Sequence, residues 1–156
     1  MRCSGPQALI DLAALRHNLA VVRRRAPASR IWAVIKADAY GHGMERAAEA
    51  LAAADGYAVA RVEEALRLRA AAVARPLLVL TGALSREETA AAQKHQLDLV
   101  LHQEAQVTWL EALPPGPPLR VWIKVDTGMH RLGFDPQEVP AIQSRLAACP
   151  HVAPLP

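Results

Sequence analysis

A short apolar segment followed by a helix-forming stretch recurs five times along the chain, and this alternation restricts the possible folds more than any other feature. The apolar segments are residues 31–35, 57–60, 77–80, 97–101 and 119–125. A strand followed by a helix and then by another strand is typical of a parallel sheet covered by helices. The sequence therefore predicts an α/β protein with about five βα units.

Capping residues mark where several helices begin and end. Asp11 can cap a first helix in which leucines recur at spacings of three and four, and Pro27 ends that helix. Ser85 and Glu88 have the spacing of a capping box. Asp135 is followed by a first-turn proline and a third-position acid, which predicts the last helix. Further helices are predicted over residues 44–54, 62–74 and 104–113.

Two architectures have this alternation: an open doubly wound sheet and a closed barrel. The open sheet predicts a glycine-rich phosphate fingerprint after the first strand, but Gly41 and Gly43 supply only GxG. The proline-rich residues 114–118 fit a tight helix-to-strand connection better than a domain linker. A barrel needs eight units, and residues 151–156 resemble the beginning of a sixth strand. The sequence predicts an incomplete (β/α)8 TIM barrel with five units and the start of a sixth.

Composition and net charge are those of a globular protein and argue against nucleic-acid binding. Hydrophobic residues make up 52% and charged residues 21%, as in globular proteins. The net charge of +3 is mild, and the densest basic cluster, residues 23–25, lies where it complements a helix dipole. A nucleic-acid patch is the alternative there, and it is the less favoured one.

The sequence also predicts neither a membrane segment nor a metal site. No apolar run approaches the roughly 20 residues that span a bilayer, and the N-terminus lacks a signal-peptide core, so we expect a cytoplasmic protein. The six histidines show no HxH or HExxH spacing. The two cysteines, Cys3 and Cys149, have no spacing that indicates a disulfide or metal site.

The positions of the few lysines indicate where a nucleophile could lie. Of the 18 basic residues only three are lysines, and two of these, Lys36 and Lys124, end apolar strands. Lysine can lose its proton and attack a carbonyl, whereas arginine stays charged. Active sites of parallel α/β folds lie at the carboxyl ends of strands. Lys36 is therefore either a nucleophile or a lysine that reaches from a strand end to water.

The segment around Lys124 leaves similar alternatives. Strand alternation places Lys124 and Asp126 on one face, where they form a pair lining the barrel in the simpler interpretation. Arg131 lies just past the strand end, where its fork of donors could hold an anion, or it is an ordinary surface arginine.

Two long motifs resemble a known family. Residues 33–43, AVIKADAYGHG, closely resemble the segment through which alanine racemases attach their cofactor. Residues 119–134, with the core KVDTGMHRLG, resemble that family's second characteristic segment. The opening Ile10-Asp11-Leu12 with Asn18 is also similar. The likeness covers essentially the whole chain in the right order, so the chain is identified as a member of the alanine racemase family.

This resemblance implies a pyridoxal-phosphate-dependent isomerase that interconverts L-alanine and D-alanine for the cell wall or for alanine catabolism. The complete enzyme would be a homodimer whose barrel is followed by a β-rich domain, with active sites at the subunit interface. Residues 1–156 would be the N-terminal portion of the barrel domain, without the rest of the barrel or the β-domain.

The resemblance also implies roles for individual residues. Lys36 would attach pyridoxal phosphate and act as the base on the D-alanine face, and Tyr40 would help hold the phosphate. Arg131 would reach the cofactor's phenolic oxygen and the substrate carboxylate. Lys124 matches a lysine that is often carbamylated, which would turn it into an anion able to pair with Arg131.

The family's second base is a tyrosine from the partner subunit's C-terminal domain, and neither Tyr40 nor Tyr57 matches it. We therefore expect the 156 residues alone to be inactive. The main alternative is a non-catalytic pyridoxal-phosphate carrier on a related barrel, although such carriers are not expected to have the motif that this chain has at residues 124–133. A third is an inert remnant of a truncated gene.

Overall fold

The computed structural model describes residues 6–154, which form a parallel sheet with helices between successive strands. Cys3 and the last two residues of the predicted sixth strand lie outside the described residues. The strands are β1 Trp32–Val34, β2 Gly56–Val59, β3 Leu77–Val79, β4 Asp98–Leu101 and β5 Val121–Ile123. The helical segments are α1 Leu12–Arg25, α2 Lys36–Tyr40, α3 Met44–Ala50, α4 Val62–Ala70, α5 Arg86–Lys94, α6 Glu104–Glu111 and α7 Val139–Ala148.

The order of the strands identifies the architecture. All neighbours pair in parallel, in the order β1-β2-β3-β4-β5. A doubly wound sheet reverses its strand order, whereas a barrel adds each strand beside the last. Residues 151–153 continue the series, because Leu119 and Val152 form a parallel bridge and the Ala153 N–H donates to the Leu119 carbonyl at 2.8 Å. The fold is an incomplete α/β barrel, as predicted.

Asp11 and Ser85, two of the predicted N-caps, accept backbone hydrogen bonds at the starts of their helices. Asp11 accepts from the N–H groups of Ala13 and Ala14 at 2.8 and 3.2 Å. The Ser85 hydroxyl accepts from the Glu88 N–H at 3.2 Å, but the Glu88 carboxylate accepts from Leu84 and not from Ser85.

Asp135 makes the expected capping contact, with the Gln137 N–H at 2.8 Å, yet regular helix begins only at Val139. Pro140 explains this delay. It has no N–H to bond the carbonyl four residues earlier, so residues 136–138 form a turn.

The core lies between the sheet and the helices. Leu68 and Leu110 on the helices and Leu77, Leu99 and Leu101 on the strands are each at most 1% exposed. Burying one such side chain stabilises the fold by roughly 1.5–3 kcal/mol. This layer fixes the helices against one face of the sheet and leaves the other face concave.

A contact between two tryptophans shows how strongly the sheet curves. Trp32 on β1 and Trp122 on β5 meet edge to face, with ring centroids 6.3 Å apart. In a flat sheet these strands would lie roughly 19 Å apart, at about 4.8 Å per step. Gly56 leaves room for the contact, since a Cβ there would lie 2.7 Å from the Trp32 ring. The face that carries both tryptophans is therefore the inner face of the barrel.

A charged pair lies at the opposite, amino end of the strands. The Asp98 side chain is 4% exposed and lies 3.0 Å from the Arg120 guanidinium. Burial raises the pKa of Asp98, and Arg120 opposes that shift. A charge pair at this end of a barrel contributes to stability and not to chemistry, because barrel chemistry takes place at the carboxyl ends. Within residues 6–154, no helix is both long and apolar enough to cross a membrane.

Candidate active site at the carboxyl ends of the strands

Lys36 begins α2, which is a left-handed turn and not a regular helix. The preceding residue, Ile35, still pairs with β2 through its N–H and the Ala58 carbonyl at 2.9 Å. The four residues 37–40 then have φ between 52° and 54°. For residues with a Cβ this conformation costs about 1–2 kcal/mol each. The sequence has turn-like residues only at 40–43, Tyr40-Gly41-His42-Gly43, so the turn begins earlier than the sequence predicts.

Side chains on α4 hold this strained turn in place. The Glu64 carboxylate accepts from the Ala37 N–H at 2.6 Å and from the Ala60 N–H at 2.7 Å. One turn further along α4, Arg67 donates to Asp38 at 3.5 Å and to Glu45 at 2.7 Å. The backbone N–H of Glu45 and the Arg67 guanidinium lower the pKa of Glu45.

Sequence reasoning missed both α4 residues. Glu64 is recognisable in the sequence only as an acid in the first turn of a helix, and nothing local indicates its contact with residue 37.

Lys36 and Tyr40, at the two ends of this turn, differ in their exposure to solvent. Lys36 is half-buried and lies two residues beyond Val34, the last residue of β1. Tyr40 is 61% exposed. Both lie at the carboxyl edge of the sheet, where the sequence predicted them.

A second loop at this edge follows β5. The Lys124 N–H extends the pairing by donating to the Leu101 carbonyl at 2.8 Å. The Asp126 carboxylate accepts from the backbone of Gly128 at 2.9 Å and of His130 at 3.0 Å, and these bonds lower the pKa of Asp126. Phe134 then returns the chain to Lys124, since its N–H donates to the Lys124 carbonyl at 2.9 Å.

The simpler interpretation of Lys124, in which it pairs with Asp126, is wrong. Asp126 instead contacts the His130 ring at 3.1 Å, and the ion pairs within residues 6–154 include none with Lys124. The backbone explains this, because the loop turns back at Gly128 and directs its own N–H groups at the carboxylate. Lys124 remains half-buried on the Trp122 face.

Arg131 is exposed and borders an open cavity of about 330 Å³ together with His102, Asp126 and His130. His102 was not singled out from the sequence. It is 8% exposed, and its Nε2 lies 2.9 Å from the Thr81 carbonyl oxygen. The structure thus groups Arg131 with the β4 and β5 loops, and Lys36 with Tyr40 on the β1 turn.

Among the described residues there is no group of three or more His, Cys, Asp or Glu side chains able to hold a metal ion.

Comparison with known proteins identifies the family and its fold. Residues 10–155 match the sequence model of the alanine racemase N-terminal domain. The chain belongs to the alanine racemase family. The resemblance of the chain to this family is confirmed, and the barrel is the fold of the family's N-terminal domain.

The alanine racemase of Nitrosococcus oceani is 53% identical over 148 residues, which are 95% of this chain and 42% of that protein. The biosynthetic alanine racemase of Pseudomonas aeruginosa superposes with a TM-score of 0.88 at 44% identity, over 92% of this chain and 40% of that one. The histidine racemase of Leuconostoc mesenteroides superposes with a TM-score of 0.77 at 30% identity, over 90% of this chain and 39% of that one. The chain therefore spans about two fifths of the length of these relatives.

Proposed function

We propose that this chain is the N-terminal portion of the barrel domain of a pyridoxal-phosphate-dependent alanine racemase, with the other barrel strands and a β-rich domain supplied by the rest of a homodimeric enzyme. The observation that carries the proposal is the half-buried Lys36 at the carboxyl end of β1, on a turn held in a strained conformation. Such strain persists only where surrounding contacts enforce it, and it concentrates at functional sites.

The residues at this edge fit the cofactor. Lys36 offers a primary amine, and the Arg131 guanidinium supplies positive charge that suits a carboxylate. Pyridoxal phosphate, when bound, draws electrons from the substrate and so acidifies its Cα–H bond. Lys36 holds the cofactor and then carries a proton at Nζ to and from one face of Cα. Tyr40 binds the phosphate through its hydroxyl.

Arg131 binds the substrate carboxylate, and Lys124 orients the Arg131 guanidinium. A carbamate on the Lys124 amine replaces a cation with an anion. That anion accepts two parallel hydrogen bonds from the Arg131 guanidinium, which fixes its plane. Arginine at position 124 has no equivalent chemistry, because its guanidinium stays protonated.

Racemisation needs a second base on the opposite face of Cα, and the tyrosines of this chain do not fit that role. The Tyr57 side chain is buried, and its hydroxyl donates to the Ala48 carbonyl at 2.6 Å. Burial raises the pKa of Tyr57, which makes its phenolate harder to form. Tyr40 lies on the same turn as Lys36. We propose that the second base comes from a partner subunit.

Alanine is the substrate best supported by similarity. The relatives that are 46–53% identical carry the name alanine racemase, whereas the one named histidine racemase is 30% identical.

The Lys36 assignment is tested in a completed enzyme, which consists of the 156 residues fused to the part of the Pseudomonas aeruginosa racemase that follows its matching segment. Pyridoxal phosphate is added, the linkage is reduced with borohydride, and labelled peptides are located by mass spectrometry. We expect the label on Lys36, its loss in Lys36→Ala and no change in the control Lys94→Ala, since Lys94 is exposed on α5. Label on Lys94, or an unchanged yield in Lys36→Ala, contradicts the proposal.

A further inference from the structure

The two oxygens of the Glu64 carboxylate have different tasks. Oε2 accepts from the N–H groups of Ala60 and Arg61, at 2.7 and 3.1 Å, and thereby caps α4. Oε1 accepts from the Ala37 N–H at 2.6 Å, across 27 residues of sequence. Capping explains the first oxygen only. The second ties the first turn of α4 to the residue that directly follows Lys36.

The hydrogen bond from the Ala37 N–H to Glu64 lies where the backbone φ angle changes from negative to positive. Ile35 has φ of −124°, and Ala37 has φ of 52°. The direction of the Lys36 side chain depends on where this reversal occurs, because Lys36 is the residue between the two. A charged acceptor makes a stronger hydrogen bond than a neutral one. Glu64 also has no ion pair among the contacts of residues 6–154, so its charge is directed at these three N–H groups.

We propose that Glu64 is a positioning residue for Lys36, holding the reversal at Ala37 so that the lysine amine points to the inner face of the barrel. This inference rests on the proposed role of Lys36. Arg67 supports the same turn from one turn further along α4, through Asp38. Helix α4 is thus the element that sets the direction of the cofactor-attachment lysine.

Glu64→Gln separates the two tasks of the carboxylate. The amide oxygen can still cap Ala60 and Arg61, but the amide NH2 then faces the Ala37 N–H, and two donors do not bond. Glu64→Asp is the second variant, because its side chain is one methylene shorter and cannot span both sites. The matched control is Glu63→Gln, the same change on the neighbouring residue, whose side chain is 64% exposed.

The experiment uses the completed enzyme, stripped of cofactor and reloaded with pyridoxal phosphate. The rate of borohydride-trapped labelling at Lys36 is measured against pH, and backbone hydrogen exchange is measured by mass spectrometry. We expect both Glu64 variants to slow labelling at least about ten-fold and to shift its pH midpoint. Peptides covering residues 37–43 should exchange faster while α4 keeps its protection, and Glu63→Gln should match the unsubstituted enzyme.

Labelling in Glu64→Gln with unchanged rate and pH midpoint overturns the inference. So does faster exchange confined to α4, which would make Glu64 a helix cap only, or an equal loss in Glu63→Gln. These outcomes differ from failure of the proposed function itself, in which the unsubstituted completed enzyme takes no label at Lys36.

Discussion

At position 124 the chain has one of its three lysines, half-buried on the inner face of the barrel and followed seven residues later by an exposed arginine. Lysine and arginine have the same charge at neutral pH, but only the lysine amine reacts with carbon dioxide to become an anion. Lys124 has no ion pair among residues 6–154, since Asp126 is engaged by its own loop. The amine is therefore free for the modification proposed above.

Replacing Lys124 with arginine in the completed enzyme should lower activity despite keeping the charge. The change puts a permanent cation opposite Arg131 in place of a charge-assisted pair, which is worth roughly 1.5–3 kcal/mol. That corresponds to roughly a ten- to hundred-fold lower kcat/KM. Racemisation is followed by polarimetry with and without bicarbonate, and bicarbonate should rescue nothing. Near-normal turnover in Lys124→Arg would show that Lys124 has only a structural role in the barrel; Lys94→Arg is the control.

At the scale of elements, the connections after β3 and β4 are joined by one buried amide. Gln106 on α6 is 1% exposed. Its oxygen accepts from the His102 N–H at 2.9 Å, and its nitrogen donates to the carbonyls of Thr81 and Ala83 at 2.9 and 3.0 Å. Gly82 has φ of +64°, and a Cβ there would collide with the Val100 carbonyl oxygen. The two loops therefore pack as one unit at the carboxyl edge.

Gln106→Leu should destabilise the completed enzyme by about 2–5 kcal/mol, because it leaves backbone groups buried without partners at about 1–3 kcal/mol each. The control is Gln143→Leu, which makes the same change at an exposed position of α7. The free energy of unfolding is measured by urea denaturation monitored by circular dichroism. Equal effects of the two substitutions would mean that water replaces the amide and that the loops do not depend on it.

Prediction at the element scale succeeded for the order and type of elements and failed at α2. The five strands and the helices between them follow from apolar periodicity, which is local in the sequence. Nothing local predicts a left-handed turn over Ala37, Asp38 and Ala39, because alanine disfavours positive φ. Contacts with Glu64 and Arg67 on α4 enforce it, and those contacts join groups that are 27 and 29 residues apart in the sequence.

At the scale of the whole molecule, the inner face of the barrel is partly open. Val34 on β1 and Trp122 on β5 are 43% and 46% exposed, and β1 pairs with β2 alone among the described strands. Closure of a barrel removes its sheet edges, and unpaired edges favour aggregation. Buried apolar surface contributes roughly 25 cal/mol per Å², against a net domain stability of about 5–15 kcal/mol. Five strands without an opposite wall lack a large part of that contribution.

We expect the 156-residue chain expressed by itself to be molten or aggregation-prone and to lack alanine racemase activity, whereas the completed enzyme regains both packing and turnover. Near-UV circular dichroism and an alanine racemisation assay with added pyridoxal phosphate measure the two properties. A cooperatively melting short chain with measurable turnover would contradict this expectation, and would place the second base within these 156 residues.

The sequence by itself determined the parallel α/β class, the order of the elements and the position of Lys36 and Lys124 at strand ends. These properties depend on periodicity, capping residues and chain direction, all of which are local. Only the tertiary structure decided the left-handed turn at Lys36, its support by Glu64, the engagement of Asp126 by its own loop and the meeting of Trp32 with Trp122. These features depend on how a curved sheet and its loops bring distant or folded-back groups within hydrogen-bonding or van der Waals distance, and sequence spacing does not encode that geometry.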